Sequence, residues 1–314
     1  MHYPVAGVEA NFFVTLAAGF MIGVAFSTLS VSGAAFTSLF QTLIGVSTAL
    51  QPINVLATLV ASLVGLRTYL RERRVALPIA AFLLMGVAAG VVLGARAALL
   101  AFGRDFSGVY LGFMGGIAVL TGSYIALHTL SMAWRQESPL LRMVARFEST
   151  VNEIRSTGEW DKLLRSGYST IRISPRRFLF SFAGERVTLN PLWLSVGGAG
   201  IGFISSLFGI GGGNLFLFLL ASIYRLPLHL VVGTTLAAVL FTSLWSCANY
   251  LHLGMRVDWV LFFNLAPGLV LGALLGPKYS KFIPEVWLRR LAGVALVLAG
   301  MFMFYRSLSV QMLS

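Results

Sequence analysis

The chain predicts an all-α integral membrane protein. About ten transmembrane segments form two inverted five-helix repeats with short, glycine-broken helices, joined by a cytoplasmic insert. Three observations carry the prediction. With 57% hydrophobic and 11% charged residues among 314 and a mean hydropathy of +0.85, the composition is too apolar for a soluble domain. Apolar runs of membrane-spanning length recur on both sides of a polar stretch. Between two such runs lies Phe208-Gly209-Ile210-Gly211-Gly212-Gly213-Asn214. Backbone of that kind is tolerated in a membrane where it lines a polar cavity or lets a ligand or helix approach closely.

In chain order the runs read as 11–30, 33–50, 52–70, 77–100 and 107–130, then 191–208, 213–230, 231–251, 258–276 and 287–306. Met1 to Asn11 carry no basic region before the first run, which argues against a cleaved signal peptide. Arg71, Glu72, Arg73 and Arg74 follow run three, a polar insert of about 135–188 follows run five, and Lys278 and Lys281 follow run nine. If every run spans, these charges share one side. The insert holds ten basic and six acidic residues, so the positive-inside rule makes that side cytoplasmic and both termini external. The net charge of +12 therefore reads as membrane orientation, and nucleic acid is not an expected partner. The domains are a first transmembrane repeat at 11–130, the insert at 131–189 and a second repeat at 190–307.

The halves resemble each other. Ser27 to Ala35 lies over Ser205 to Gly213 without a gap, and Ala61-Ser62-Leu63 with Tyr69-Leu70 matches Thr242-Ser243-Leu244 with Tyr250-Leu251 after a shift of about three residues. Five spans per repeat is odd, so the second half enters the membrane in the opposite sense, the plan of secondary transporters that bind substrate near mid-membrane. Within the insert, Leu141, Val144, Phe147, Val151 and Ile154 are spaced for an amphipathic helix over Leu140 to Leu164. Phe178 to Leu189 reads as a small hairpin turning at Ala183-Gly184.

A single cysteine, Cys247, excludes an intramolecular disulfide and a cysteine-rich metal or redox centre, and no cofactor is expected. Gly202 to Gly213, then Leu226-Pro227, Val232-Gly233-Thr234-Thr235-Leu236, Gly254 and Val257-Asp258-Trp259, resemble the sulfite exporter TauE/SafE family over about residues 197–300. The resemblance implies a bacterial inner-membrane permease, and a partner that is a small sulfur-containing anion such as sulfite, a sulfonate, sulfoacetate or thiosulfate. The chain departs from the family pattern at Phe218, where proline is common, and at Ser32 to Ala35, which replace the glycine run in the first half.

Such an anion needs donors. Candidates in the first half are Ser32, Gly33, Gln41, Gln51 and Asn54; in the second they are Gly211, Gly212, Gly213, Asn214, Thr234 and Thr235. The glycines offer backbone N–H groups at the starts of runs two and seven. Ser205 and Ser206 could add hydroxyls. Arg67 reads as a snorkelling residue, His252 and Asp258 as solvated turn residues, and His128 and His229 as lying near the cytoplasmic face. No buried Asp or Glu is expected in any run, Asp258 being read as a turn residue, which favours passive anion movement over a carboxylate proton relay. Two rivals are an intramembrane hydrolase built on Ser32-Gly33 and a membrane sensor or partner protein acting through the insert.

Overall fold

The structure, a computed structural model, describes residues 2–3, 8–9, 11–29, 51–101, 107–132, 139–157, 167–174, 176–208, 212–252 and 257–313. A short ladder, β1 (His2–Tyr3) with β2 (Val8–Glu9), precedes α1 (Phe12–Leu29), α2 (Gln51–Arg71), α3 (Leu77–Ala101) and α4 (Ser107–Met132). The insert comprises α5 (Pro139–Thr157), β3 (Ser169–Ile173), β4 (Phe178–Phe182) and β5 (Glu185–Leu189). The second half comprises α6 (Pro191–Phe208), α7 (Gly213–Phe218, continued by a π-helical turn at Leu219–Ile223), α8 (Leu228–His252), α9 (Trp259–Ser280) and α10 (Glu285–Leu313).

Among the described residues, six stretches are long and apolar enough to cross a membrane: Phe12–Leu29, Ile53–Arg71, Leu77–Gly94, Leu228–Ala248, Trp259–Ser280 and Val286–Tyr305. Run two, 33–50, lies outside the described residues. Run seven is shorter than its apolar sequence suggests. The helix stops at Ile223, Arg225 turns with φ 52°, and Pro227 has no N–H to continue it. Gly213–Ile223 thus rises about 16 Å, roughly half of a hydrocarbon layer.

Lipid provides no hydrophobic force to press helices together, so close approach of small residues must hold them. Gly19 and Gly23 of α1 lie against the carbonyls of Leu265 and Leu269, while Gly268 and Gly272 of α9 lie against those of Leu16 and Phe20. The contacts advance together along both helices, so α1 and α9 run parallel. In the same manner Gly86, Gly90 and Gly94 of α3 face the carbonyls of Ser195, Ala199 and Phe203, and Gly198 and Gly202 of α6 face those of Leu83 and Val87. These helices are parallel too. Gly115 meets Gly300, and Gly122 meets Gly293, which makes α4 and α10 antiparallel. Gly65 meets Leu236, and Tyr69 meets Gly233, which does the same for α2 and α8. In this register Gly19 and Gly23 correspond to Gly198 and Gly202, placing Ser27 against Ser206, one residue beyond the gapless sequence alignment.

The insert packs against one end of the bundle. Phe178, Phe180 and Phe182 are fully buried, with Phe178 edge-on to Phe82 of α3 at 5.7 Å and Phe182 stacked on Phe147 of α5 at 5.4 Å. The expected turn is present, with left-handed φ at both Ala183 and Gly184, as a two-residue hairpin with strand twist requires. The sheet has three strands in the order β3-β4-β5, one more than the hairpin read from sequence. Strand β3 is exposed along its whole length and so lacks the alternation that marks a half-buried strand. Helix α5 is described to Thr157, and the predicted stretch beyond it lies outside the described residues. Replacing Phe147 by alanine should cost about 3–5 kcal/mol of insert docking. Protease cleavage within the insert, rising while the bundle stays folded, is the expected readout.

Candidate functional site

Helices α2 and α8 pack against each other, and each carries a row of buried polar residues. On α2, Asn54, Thr58 and Ser62 share a face at helical spacing and are nearly inaccessible. Thr58 donates to the carbonyl of Asn54 at 2.7 Å, and Ser62 to that of Thr58 at 2.6 Å. Both hydroxyls are thus satisfied by their own helix, the usual resort in an apolar setting. The amide nitrogen of Asn54 differs: it is buried without a hydrogen-bond partner among the described residues. On α8, Thr242 bonds back to Ala238 at 2.8 Å, while the Ser243 hydroxyl is buried and unpartnered. A buried donor without an acceptor is costly. At this crossing Asn54 and Ser243 have capacity to receive a ligand oxygen; the Thr28 and Ser222 hydroxyls are also buried and unpartnered among the described residues, on α1 and on the π-helical turn after α7.

The sequence candidates fall in three places. Ser32, Gly33, Gln41 and Gly211 lie outside the described residues, so the proximity expected between Gly33–Phe36 and Gly211–Asn214 concerns positions that are not described. Gly212 caps α7 with φ 73°. A side chain there would press on Phe216, Ile201 and the Ser205 hydroxyl, so glycine is needed for both conformation and space. Gly213 and Asn214 follow as the first residues of α7, both buried. Gln51 begins α2. Because α2 and α8 are antiparallel, Asn54 lies toward one end of the crossing and Thr234 and Thr235 toward the other. The fold does not bring Asn54 to the threonines.

Thr234 has structural work of its own. It donates to the Leu230 carbonyl at 2.8 Å and accepts from the Ala76 N–H at 3.0 Å, satisfying the turn that opens α3. The preceding Gly233 admits the Arg74 carbonyl and the Tyr69 ring. Val232-Gly233-Thr234 is therefore the socket that receives the α2–α3 turn. Thr235 donates to Val232 at 2.9 Å.

The charges used to orient the chain form a network that sequence reasoning missed. Arg74, 1% exposed, donates to Glu72 at 3.1 Å and to the His229 carbonyl at 3.1 Å. Its guanidinium sits 4.5 Å from the Tyr69 ring centre. Glu72 also pairs with Lys281. Tyr69 donates to the Ser27 carbonyl at 2.9 Å and shares a hydrogen bond with Ser280 at 3.1 Å. The ring of His229 lies 4.7 Å from that of Phe147, so this histidine is roofed by the insert and fully buried. Arg289 is likewise buried, donating to the Leu226 carbonyl at 2.9 Å and the Ala221 carbonyl at 3.4 Å. Those are carbonyls left over where α7 breaks, and a cation suits them. Asp258 is not a solvated turn residue: it is 1% exposed and caps α9 by accepting from the Leu261 N–H at 3.1 Å. His252 is exposed, as expected. The described residues hold no cluster suited to a metal ion.

Apolar helices of spanning length, a half-length broken helix and polar groups buried at a helix crossing define a multi-pass membrane protein of the transporter class. The chain belongs to the sulfite exporter TauE/SafE family, whose model matches residues 12–303. It is similar to two proteins of Bacillus subtilis (strain 168). One is the "Probable membrane transporter protein YunE", 25% identical over 108 residues, or 34% of this chain and 39% of the relative. The other is the "Probable membrane transporter protein YdhB", 27% identical over 106 residues, or 34% of this chain and 43% of the relative. The aligned stretch therefore spans less than half the length of either relative. No solved structure matches significantly. The family is named for export and both relatives for membrane transport, which sets the chain apart from the hydrolase reading of Ser32-Gly33.

Proposed function

We propose that the protein is a permease of a bacterial inner membrane for a small sulfur-containing anion of the sulfite, sulfonate, sulfoacetate or thiosulfate class. Ten spans form two inverted repeats, with both termini external and the insert cytoplasmic. The observation that carries this reading is the pairing of the helices. Exchanging the halves, so that α1 becomes α6, α2 becomes α8, α3 becomes α9 and α4 becomes α10, turns the α1–α9 contact into the α6–α3 contact. It also maps the α2–α8 and α4–α10 contacts onto themselves. The directions agree as well, since the first two pairs are parallel and the last two antiparallel, as an axis in the membrane plane demands.

The anion binds near mid-membrane, with Asn54 and Ser243 at the α2–α8 crossing and the N–H groups of Gly212, Gly213 and Asn214 at the broken helix as donors. Ser32, Gly33, Gln41, Gln51, Gly211 and Thr235 complete the candidate set, while Thr234 holds the start of α3. An inside-negative potential drives a monoanion outward by about 2.3 kcal/mol per 100 mV, so export needs no coupled proton. Purified protein in proteoliposomes should pass sulfite, thiosulfate or sulfoacetate but not acetate, at a rate that follows the imposed potential. Flux that answers a pH gradient and ignores voltage would overturn the uniport reading.

A further inference from the structure

We propose that Tyr69, Glu72, Ser280 and Lys281 form the inner gate of the transport pathway, and that the conformation described is closed on the side of the insert. This assignment rests on the permease reading. Its starting point is mechanical. Helices α1 and α9 interlock through glycines on both partners, carbonyl against Cα along their length, so they move as one body. Helix α2 crosses α8 and lies beside α9, without the run of glycine-to-carbonyl contacts that locks α1 to α9. At the insert end the two pairs are tied by polar contacts that can be made and broken. The single Tyr69 hydroxyl holds the Ser27 carbonyl of α1 and the Ser280 hydroxyl of α9 at once. One turn beyond, Glu72 reaches Lys281, just past the end of α9.

The position of these ties is what a gate requires. The polar face of Asn54, Thr58 and Ser62 descends α2 toward this end. It continues through Gly65, which faces Ser27 and Leu236, and is closed by Tyr69, fully buried. Beneath Tyr69 lie the Arg74 guanidinium and then Phe147 of the insert, 5.6 Å from that guanidinium. An anion leaving the crossing toward the insert must part Tyr69 from Ser280 and Glu72 from Lys281. The Tyr69 tie links neutral groups, and Glu72 keeps Arg74 as an ion-pair partner when Lys281 parts from it; Lys281, 7% exposed at the end of α9, must reach water as the tie opens. Both ties are strong enough to hold one state and weak enough to exchange it for another.

The test uses the full chain in inside-out vesicles, with Cys247→Ser removing the native thiol and Ser62→Cys placing a new one on the polar face. A charged, impermeant methanethiosulfonate added to the insert side should react about tenfold faster when Tyr69→Phe and Glu72→Gln are introduced. An unchanged rate overturns the gate. A second variant guards against misfolding: Glu72→Cys with Lys281→Cys in the same background, bridged by a short bifunctional thiol reagent. Sulfite flux should stop on bridging and return with dithiothreitol, and undiminished flux through the bridged protein overturns the proposal. The labelling readout needs no substrate. A protein that carries no sulfur anion but shows the labelling change refutes the sulfur-anion substrate class and leaves the gate standing.

Discussion

Gly90→Leu is expected to abolish assembly of the bundle, giving no monodisperse folded protein in detergent. A Cβ at Gly90 would overlap the Ala199 carbonyl and approach the Phe203 nitrogen at 2.8 Å. Those are backbone atoms of a helix that is itself locked by Gly198 and Gly202 against α3. No flexible side chain stands between them to yield. The two helices must separate, and with them goes the van der Waals contact that holds membrane helices together. Overpacking in a yielding core costs about 1–3 kcal/mol; here the clash is with helix backbone that cannot give way, so the loss exceeds that range. Gly116→Ala supplies the contrast, because nothing lies within 4 Å of its added Cβ, and its unfolding temperature should match the parent protein. Equal behaviour of the two variants in size-exclusion chromatography and thermal unfolding would refute this account of the interlock.

Asn54→Leu should fold and yet lose sulfite flux by about 10- to 100-fold, the loss of one hydrogen bond to a charged group. The amide is 3% exposed with its nitrogen unpartnered, so an apolar side chain of similar size relieves a desolvation cost instead of adding one. Thr234→Val should do the reverse. It removes the acceptor for the Ala76 N–H, so thermal stability falls while the apparent affinity for sulfite is retained. Should Asn54→Leu carry sulfite at the parent rate, the anion site lies elsewhere than the α2–α8 crossing.

Much of the architecture was legible because the membrane restricts what a chain can do. A long apolar run has to be a helix, and the runs at 11–30, 77–100, 258–276 and 287–306 correspond to α1, α3, α9 and α10. Run seven reads through to 230 because Leu226, Leu228 and Leu230 continue its apolar character past Ile223; Arg225 and Pro227 are the residues that mark the stop. The insert helix and the β4–β5 hairpin followed from periodicity, whereas the uniformly exposed β3 had no pattern to find. Sequence marked Ala61-Ser62-Leu63 and Thr242-Ser243-Leu244 as landmarks of a repeat, and their value as lining of the helix crossing emerged only from the antiparallel contact. The charges after runs three and nine read only as orienting the chain. That Glu72 joins Arg74 and Lys281 in a largely buried network, with Arg74 beneath Phe147, depends on contacts distant in sequence, which no local window contains. Asn54 stood out early for a local reason, because a primary amide within a hydrophobic run must find partners or a ligand.

The parallel pairing of α1 with α9 bears on how the protein is made. During synthesis the first helix enters the bilayer with Gly19 and Gly23 uncovered, and almost the entire chain must follow before Leu265 and Leu269 arrive to meet them. Helix α3 waits only for the insert and α6. Maturation is therefore asymmetric in time, and α1 remains an unpaired, glycine-faced helix through most of translation, open to capture by other membrane helices or by quality control. Loss of α9 and α10 would leave α1 and α4 without the partners they bury, so the two halves cannot mature as independent modules despite their likeness.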